Sequence, residues 1–323
     1  MQRMIHMKIH NNVKGSAILC LAALIWGLAF VAQSQAADSV PPFVFNSLRS
    51  LIGALFLFGL LLLGKIRTGK QIFPSEAPRR RDMLIGGTLC GVFLAISVNL
   101  QQFGLTLYPE GAASEARAGF LTALYVIIVP LISVFIGKRI KAPMWIAVVV
   151  ATVGIYLLSL SGGLDSFYLG DLPVFCCAIT FSLHILVVDR YGDPVGGILL
   201  SMMQFLVCGI LSGILSICFE SVDWGNVLAA TPQILYLGIM SSGIAYTLQI
   251  YGQKFAEPAV ASITMSLESV FAALGGWLIS GNTLTLPEFC GCALVFVAIL
   301  VAQIPQFFEK KTNGVEIEVE SGE

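Results

Sequence analysis

Glu268, Arg49, Arg117 and His184 are ionisable side chains set inside, or at the edge of, long apolar runs. A charge near a bilayer centre costs about 2.5 to 3.5 kcal/mol on insertion scales, so each must face a cavity or a partner. Glu268 shares a helical face with Ala261, Thr264, Ala272 and Gly275, all small. A carboxyl in such a stripe can bind a substrate or carry a proton, although small residues also suit tight helix packing. Arg49 has Gly53 one turn on, which leaves room beside its guanidinium. Arg117 follows Glu110 and Glu115 and has Tyr125 two turns deeper on much the same face. A guanidinium offers a bidentate fork to an anionic group, while snorkelling or pairing with a nearby Glu is the structural alternative for Arg117. His184, one turn after Thr180, can shuttle protons or sit neutral in a hydrogen bond.

Uncharged polar groups extend the pattern. Ser242, Tyr246, Gln249 and Gln253 recur at helical spacing on an otherwise apolar run, and Ser97 with Gln101 repeats the theme earlier. Trp26, Phe30 and Gln33 mark one face of the first run. The expected substrate-binding set is Arg49, Arg117, Tyr125, Tyr246, Gln249, Gln101 and Trp26, and the expected proton-coupling residues are Glu268 and His184. Two arginines against one carboxylate tilt the expected ligand toward anionic groups.

Other chemistries lack their residues. The eight cysteines fall within apolar runs, form no CxxC pair and have no nearby histidine set, so no metal site is expected. There is neither a Gly-rich phosphate loop nor a GxSxG nucleophile, and no paired catalytic set; no cofactor is expected. Gly170 and Asp171 form half of an intramembrane aspartyl protease motif, but Tyr168 stands where the earlier glycine is needed, so Asp171 reads as a helix N-cap.

The elements that must carry these residues are membrane helices. Of 323 residues, 57% are hydrophobic and 11% charged, with mean hydropathy +0.87, far from the composition of a soluble enzyme. Net charge is -1, which offers nothing to nucleic acid. A helix needs about 20 apolar residues to cross the hydrocarbon core. Ten such runs occur, near 16–36, 43–63, 83–106, 114–136, 142–160, 171–190, 195–218, 231–252, 258–279 and 286–305. They are long and apolar all round, unlike alternating barrel strands. The first run is too long for a signal peptide and has a counterpart later in the chain, so it reads as retained.

Charge placement orients the runs. Sixteen of the 18 Lys and Arg fall at one end: Arg3, Lys8 and Lys14, then Lys65 to Arg81, Lys138 to Lys141, Arg190, Lys254, Lys310 and Lys311. By the positive-inside rule that end is cytoplasmic, with both termini there and Asp165 and Asp223 outside. Only Arg49 and Arg117 break the pattern.

The halves repeat. A displacement of 148 sets Leu100, Gln101, Phe103 and Gly104 on Leu248, Gln249, Tyr251 and Gly252. One of 144 sets Val126, Gly137 and Pro143 on Val270, Gly281 and Pro287, and one of 155 sets Gly15 on Gly170 and Trp26 on Phe181. The unit is five helices, and an odd unit inserts its second copy upside down, as in secondary transporters.

The stretch AALIWG ending at Gly27, the segment Ala118 to Pro130, the segment Ala256 to Ile279 and the Gly-rich final run resemble the EamA-like branch of the drug/metabolite transporter superfamily. The resemblance covers roughly residues 15 to 305 and implies two five-helix halves with cytoplasmic termini. Members often have a Glu after the glycine that ends the fourth and ninth spans, where this chain has Lys138 and Asn282. The expected organisation is a cytoplasmic tail (1–15), a first repeat (16–160), a second repeat (170–305) and an acidic cytoplasmic tail (306–323), in an all-α polytopic membrane protein of ten helices. The expected function is gradient-driven transport of a small polar metabolite, carboxylated like an amino acid; a membrane-embedded enzyme is the alternative. Expected partners are a small-molecule substrate and the lipid bilayer, with a homodimer as the assembly left open, and no nucleic acid.

Overall fold

The computed structural model describes residues 2–37, 39–69, 71–109, 114–160, 168–280, 285–287 and 289–302. Every regular element among them is helical. Eight helices are long and apolar enough to cross a membrane: α1 (Lys14–Ala37), α2 (Pro42–Thr68), α3 (Ala77–Thr106), α4 (Arg117–Phe135), α6 (Asp171–Val195), α7 (Gly197–Phe219), α8 (Thr231–Gln253) and α9 (Pro258–Ile279). Two shorter apolar helices, α5 (Ala142–Leu157) and α10 (Phe289–Ala302), fall where the fifth and tenth runs are expected. The chain is thus a polytopic membrane protein. The acidic tail, Asp165 and the Gly281 to Asn282 pair lie outside the described residues.

Local chemistry sets the helix ends. Proline occupies the first turn of α2, α3, α8 and α9, where its missing N–H has no partner to lose. The α2 helix ends on Gly69, whose φ of 69° closes a bond from its N–H to the Lys65 carbonyl, with Lys65 and Arg67 in the last turn near the negative pole of the dipole. The start of α2 is capped from the other half of the chain: the Glu220 carboxylate, just past α7, accepts from the N–H groups of Phe43 and Val44 at 2.6 and 2.8 Å.

The two halves interleave. The α1 helix packs on α8 and α9, α2 on α7 and α8, α3 on α6 and α7, and α4 on α6 and α9. Exchanging the halves, α1 for α6 and so on, maps this set of contacts onto itself. Glycines let backbones meet at two related points. A Cβ on Gly170 would sit 2.5 Å from the Gly104 carbonyl oxygen, and one on Gly15 would sit 3.0 Å from that of Gly252. These are the glycines that the displacements of 155 and 148 pair in sequence. One contact lies at the end where α1 begins, here termed the basic end; the other lies at the opposite end, with Glu220.

Three helices are irregular at mid-length. The α4 helix breaks at Leu124 and α9 at Ser266, each through a tighter turn in which an N–H reaches three residues back, from Ile127 to Leu124 and from Ser269 to Ser266. The α8 helix carries a π segment, Leu237–Ala245. All three irregularities border the same internal space.

Candidate functional site

A cavity of about 530 Å³ of space between atoms lies among α1, α2, α3, α4, α6, α8 and α9. Trp26, Arg49, Gln101, Tyr125, His184, Tyr246, Gln249 and Glu268 all line it, so eight of the nine expected residues converge. Arg117 does not.

Arg49 is 5% exposed, yet has no carboxylate within 4.0 Å among the described residues. Its Nη1 donates to Gln33 Oε1 at 3.2 Å, and its guanidinium lies 5.8 Å from the Phe45 ring centroid. Gln33 is fixed in turn by Gln102 Nε2, which donates to its backbone carbonyl at 3.3 Å. A buried cation held, among the described residues, by an amide oxygen and a ring face alone is poorly compensated, and an anionic ligand would supply what is missing.

Glu268 is 6% exposed and accepts from the Tyr125 hydroxyl at 2.8 Å. The bond joins the halves at their two helix breaks. Because α9 restarts at Leu267, Glu268 sits in the first turn of a new helical piece, where the unpaired backbone N–H groups favour a carboxylate.

Aromatic rings enclose the space between these charges. The Tyr246 ring meets Trp26 edge-on at 4.7 Å, Phe205 at 5.1 Å and His184 at 5.9 Å. His184 Nε2 is 2.9 Å from Gln204 Oε1, the hydrogen-bonded arrangement rather than a contact with an acid. Gln101 Nε2 donates to Thr122 Oγ1 at 3.0 Å. Trp26 Nε1, His184 Nδ1 and Gln249 Oε1 are buried and have no partner among the described residues. A ligand with both donors and acceptors would satisfy them.

Two expectations need correction. Ser241, not Ser242, reaches the cavity, because the π segment holds more residues per turn and shifts the register ahead of Tyr246; Ser242 instead packs against Gly53. Asp171 is not an N-cap: Gly170 holds that position without a side-chain bond, and Asp171 pairs with Arg117. Arg117 Nε and Nη2 donate to Asp171 Oδ1 and Oδ2, each at 2.6 Å, with Tyr108 and the Tyr168 N–H completing the set at 2.9 and 3.0 Å. Burial, then the bond to Asp171, push the Tyr108 phenol up from its ordinary pKa. Glu110 lies outside the described residues; among those described, Arg117 has its carboxylate partner on α6.

Residues that single-helix spacing does not select include Ala29, Thr122, Phe181, Ile185 and Met265. The repeat could have found three of them. The displacement of 155 takes Trp26, Ala29 and Phe30 onto Phe181, His184 and Ile185, and all six line the cavity. Likewise Gln101 and Gln249 are mates, and both line it. Among the described residues no group of three or more His, Cys, Asp or Glu could hold a metal ion.

The model of the EamA-like transporter family matches twice, over residues 13–160 and 168–303. A protein of Archaeoglobus fulgidus named an uncharacterized transporter is 26% identical over 88% of this chain and 84% of its own. The uncharacterized inner membrane transporter YedA of Escherichia coli K12 is 23% identical over 88% and 89%, and the uncharacterized transporter YoaV of Bacillus subtilis 21% over 86% and 92%. A crystal structure 21% identical in sequence superposes with a TM-score of 0.71, covering 91% of this chain and 98% of the other, which shows a shared fold.

Proposed function

Since this chain belongs to the EamA-like transporter family and is a membrane transporter, we propose that it moves a small carboxylated metabolite, such as an amino acid, by alternating access between two inverted five-helix repeats. The observation that carries this reading is one cavity, bounded by both halves, that holds an ion-unpaired Arg49 from the first and Glu268 from the second. With Arg117 engaged elsewhere, the lining has one guanidinium and one carboxylate. That balance suits an amphoteric ligand better than a doubly anionic one. Its carboxylate meets Arg49, its polar N–H groups face Glu268 and Gln249, and its apolar body lies against Trp26, Phe181 and Tyr246.

The eight long and two shorter apolar helices support ten spans, and the basic residues gathered at one end support placing both termini of this cell-membrane protein in the cytoplasm. The twice-matching family model and the half-exchange symmetry of the contacts support the inverted repeat. A chain with no ATP-binding motif moves substrate uphill only by spending a gradient. Glu268 is the proton-coupling residue of this scheme: it is the acid in the lining, and its bond to Tyr125 spans the two halves. His184, bonded to Gln204, serves ligand contact more naturally than proton carriage.

Purified protein in sealed vesicles tests the reading. Counterflow of a radiolabelled amphoteric metabolite is expected, with the compound recovered chemically unchanged, and loss of counterflow in Arg49→Lys while a neutral analogue is little affected. Chemical conversion of the compound would identify an enzyme instead. Labelling of introduced cysteines near Arg80 from outside, and near Asp223 from inside, would overturn the topology.

A further inference from the structure

The Asp171 carboxylate at the non-basic end is fully occupied. Both oxygens accept from the Arg117 fork, Oδ1 also from the Tyr108 hydroxyl and Oδ2 also from the Tyr168 N–H, while the guanidinium stacks 4.6 Å from the Tyr168 ring centroid. The Arg117 and Asp171 side chains are only 12% and 8% exposed. Tyr108 follows α3 and Arg117 opens α4, both in the first half; Asp171 opens α6 in the second. The cluster therefore fastens one half to the other directly above the Gly104 and Gly170 contact.

The repeat shows what stands at the related place near the basic end. The displacements that superpose the halves take Asp171 onto Ser16, Arg117 onto Ala261 and Tyr108 onto Ala256. A charged fork there is replaced by a hydroxyl and two methyl groups. What links α4 and α6 toward the basic end is a different and looser pair, Lys138 with Asp189 at 2.8 Å, 45% and 27% exposed. Exposed pairs of that kind contribute little, whereas a sheltered bidentate pair with further donors is among the stronger polar contacts.

We infer that Arg117, Asp171 and Tyr108 form a one-sided latch that holds the cavity shut at the non-basic end, so that the resting transporter opens toward the basic, cytoplasmic end. The inference rests on the alternating-access reading above. Two near-equivalent halves would by themselves populate the two access states about equally. An ion pair made in one state, at a place whose mirror residues cannot form one, shifts that balance by its own differential free energy. Substrate arriving from the cytoplasm then meets an open site, and opening to the outside requires the latch to part.

The test uses the full chain with its eight cysteines replaced and one returned to the cavity as Ala29→Cys, in sealed vesicles of known orientation. A membrane-impermeant maleimide is added from each side separately. With the latch intact, labelling is expected from the basic side alone. Asp171→Asn should raise labelling from the other side at least tenfold, and the charge exchange Arg117→Asp with Asp171→Arg should restore one-sided labelling. Tyr108→Phe, a milder change, should move labelling in the same direction by a smaller factor. One-sided labelling that persists in both Asp171→Asn and Tyr108→Phe overturns the latch while leaving the carrier intact. Labelling of the latched protein from both sides, or from neither, would sink the alternating-access reading itself.

Discussion

Arg49 and Arg117 are the two basic residues set apart from the basic end, and the fold treats them oppositely. Arg117 meets a carboxylate from the other half, every acceptor site of which is filled. Arg49 is more deeply buried and, among the described residues, finds an amide oxygen and the Phe45 ring and no carboxylate. One arginine completes the structure; the other leaves it incomplete. A cation with its partner in place is a fastening, whereas a buried cation without one is a demand that a ligand can meet. The same division separates Asp171, saturated by four donors, from Glu268, which holds a single hydroxyl.

Substitutions that treat both arginines alike should break them apart. Arg49→Met is expected to abolish counterflow of an anionic or amphoteric substrate, a loss of a hundredfold or more, while thermal unfolding in detergent stays near that of the parent, since no buried counter-ion is orphaned. Arg117→Met strands Asp171 and should lower stability by about 3 kcal/mol, the scale for removing one member of a sheltered pair. A fall in stability for Arg49→Met, or none for Arg117→Met, would reverse the contrast.

Smaller effects sharpen the carboxylates. Glu268→Gln should remove proton-driven accumulation yet keep exchange of labelled for unlabelled substrate, and unchanged pH dependence of flux would reduce Glu268 to packing. Tyr125→Phe deletes a single bond to a charged group and should weaken substrate affinity by about 1.5 kcal/mol, roughly tenfold in the binding constant. Lys138→Ala, at an exposed pair, should shift stability by less than about 1 kcal/mol.

Much of this was legible because membrane helices advertise themselves. Long apolar runs placed the helices, and a 3.6-residue period carried Tyr246, Gln249 and Gln101 onto the lining. Pairing glycines by displacement anticipated that Gly15 and Gly170 hold related places, and the fold sets them against Gly252 and Gly104, themselves a pair. What escaped depends on more than one helix at a time. The π segment that trades Ser242 for Ser241 has no local signature strong enough to predict a change of register. The break at Leu124 occurs at an ordinary helix former, and that at Ser266 at one serine among several on the same helix, which does not single it out. Arg117 and Asp171 are 54 positions apart, and only the packing of α4 beside α6 brings them together.

The paired glycine contacts have a consequence for how the halves can move. Where helices mesh through side chains, relative rotation means prising knobs from holes. At Gly15 with Gly252, and at Gly104 with Gly170, main chain approaches main chain, with the side chains of Leu19 and Phe255 at the first point and of Val174 and Tyr108 at the second packed alongside. In the alternating-access cycle proposed above, these points would act as a pair of bearings, set at opposite ends of the bundle and related by the repeat. A tilt about one would close the far end as it opens the near one, and the other would serve the return stroke. A single methyl group at either bearing is then a wedge, and its mark would be arrest of the stroke rather than loss of the fold.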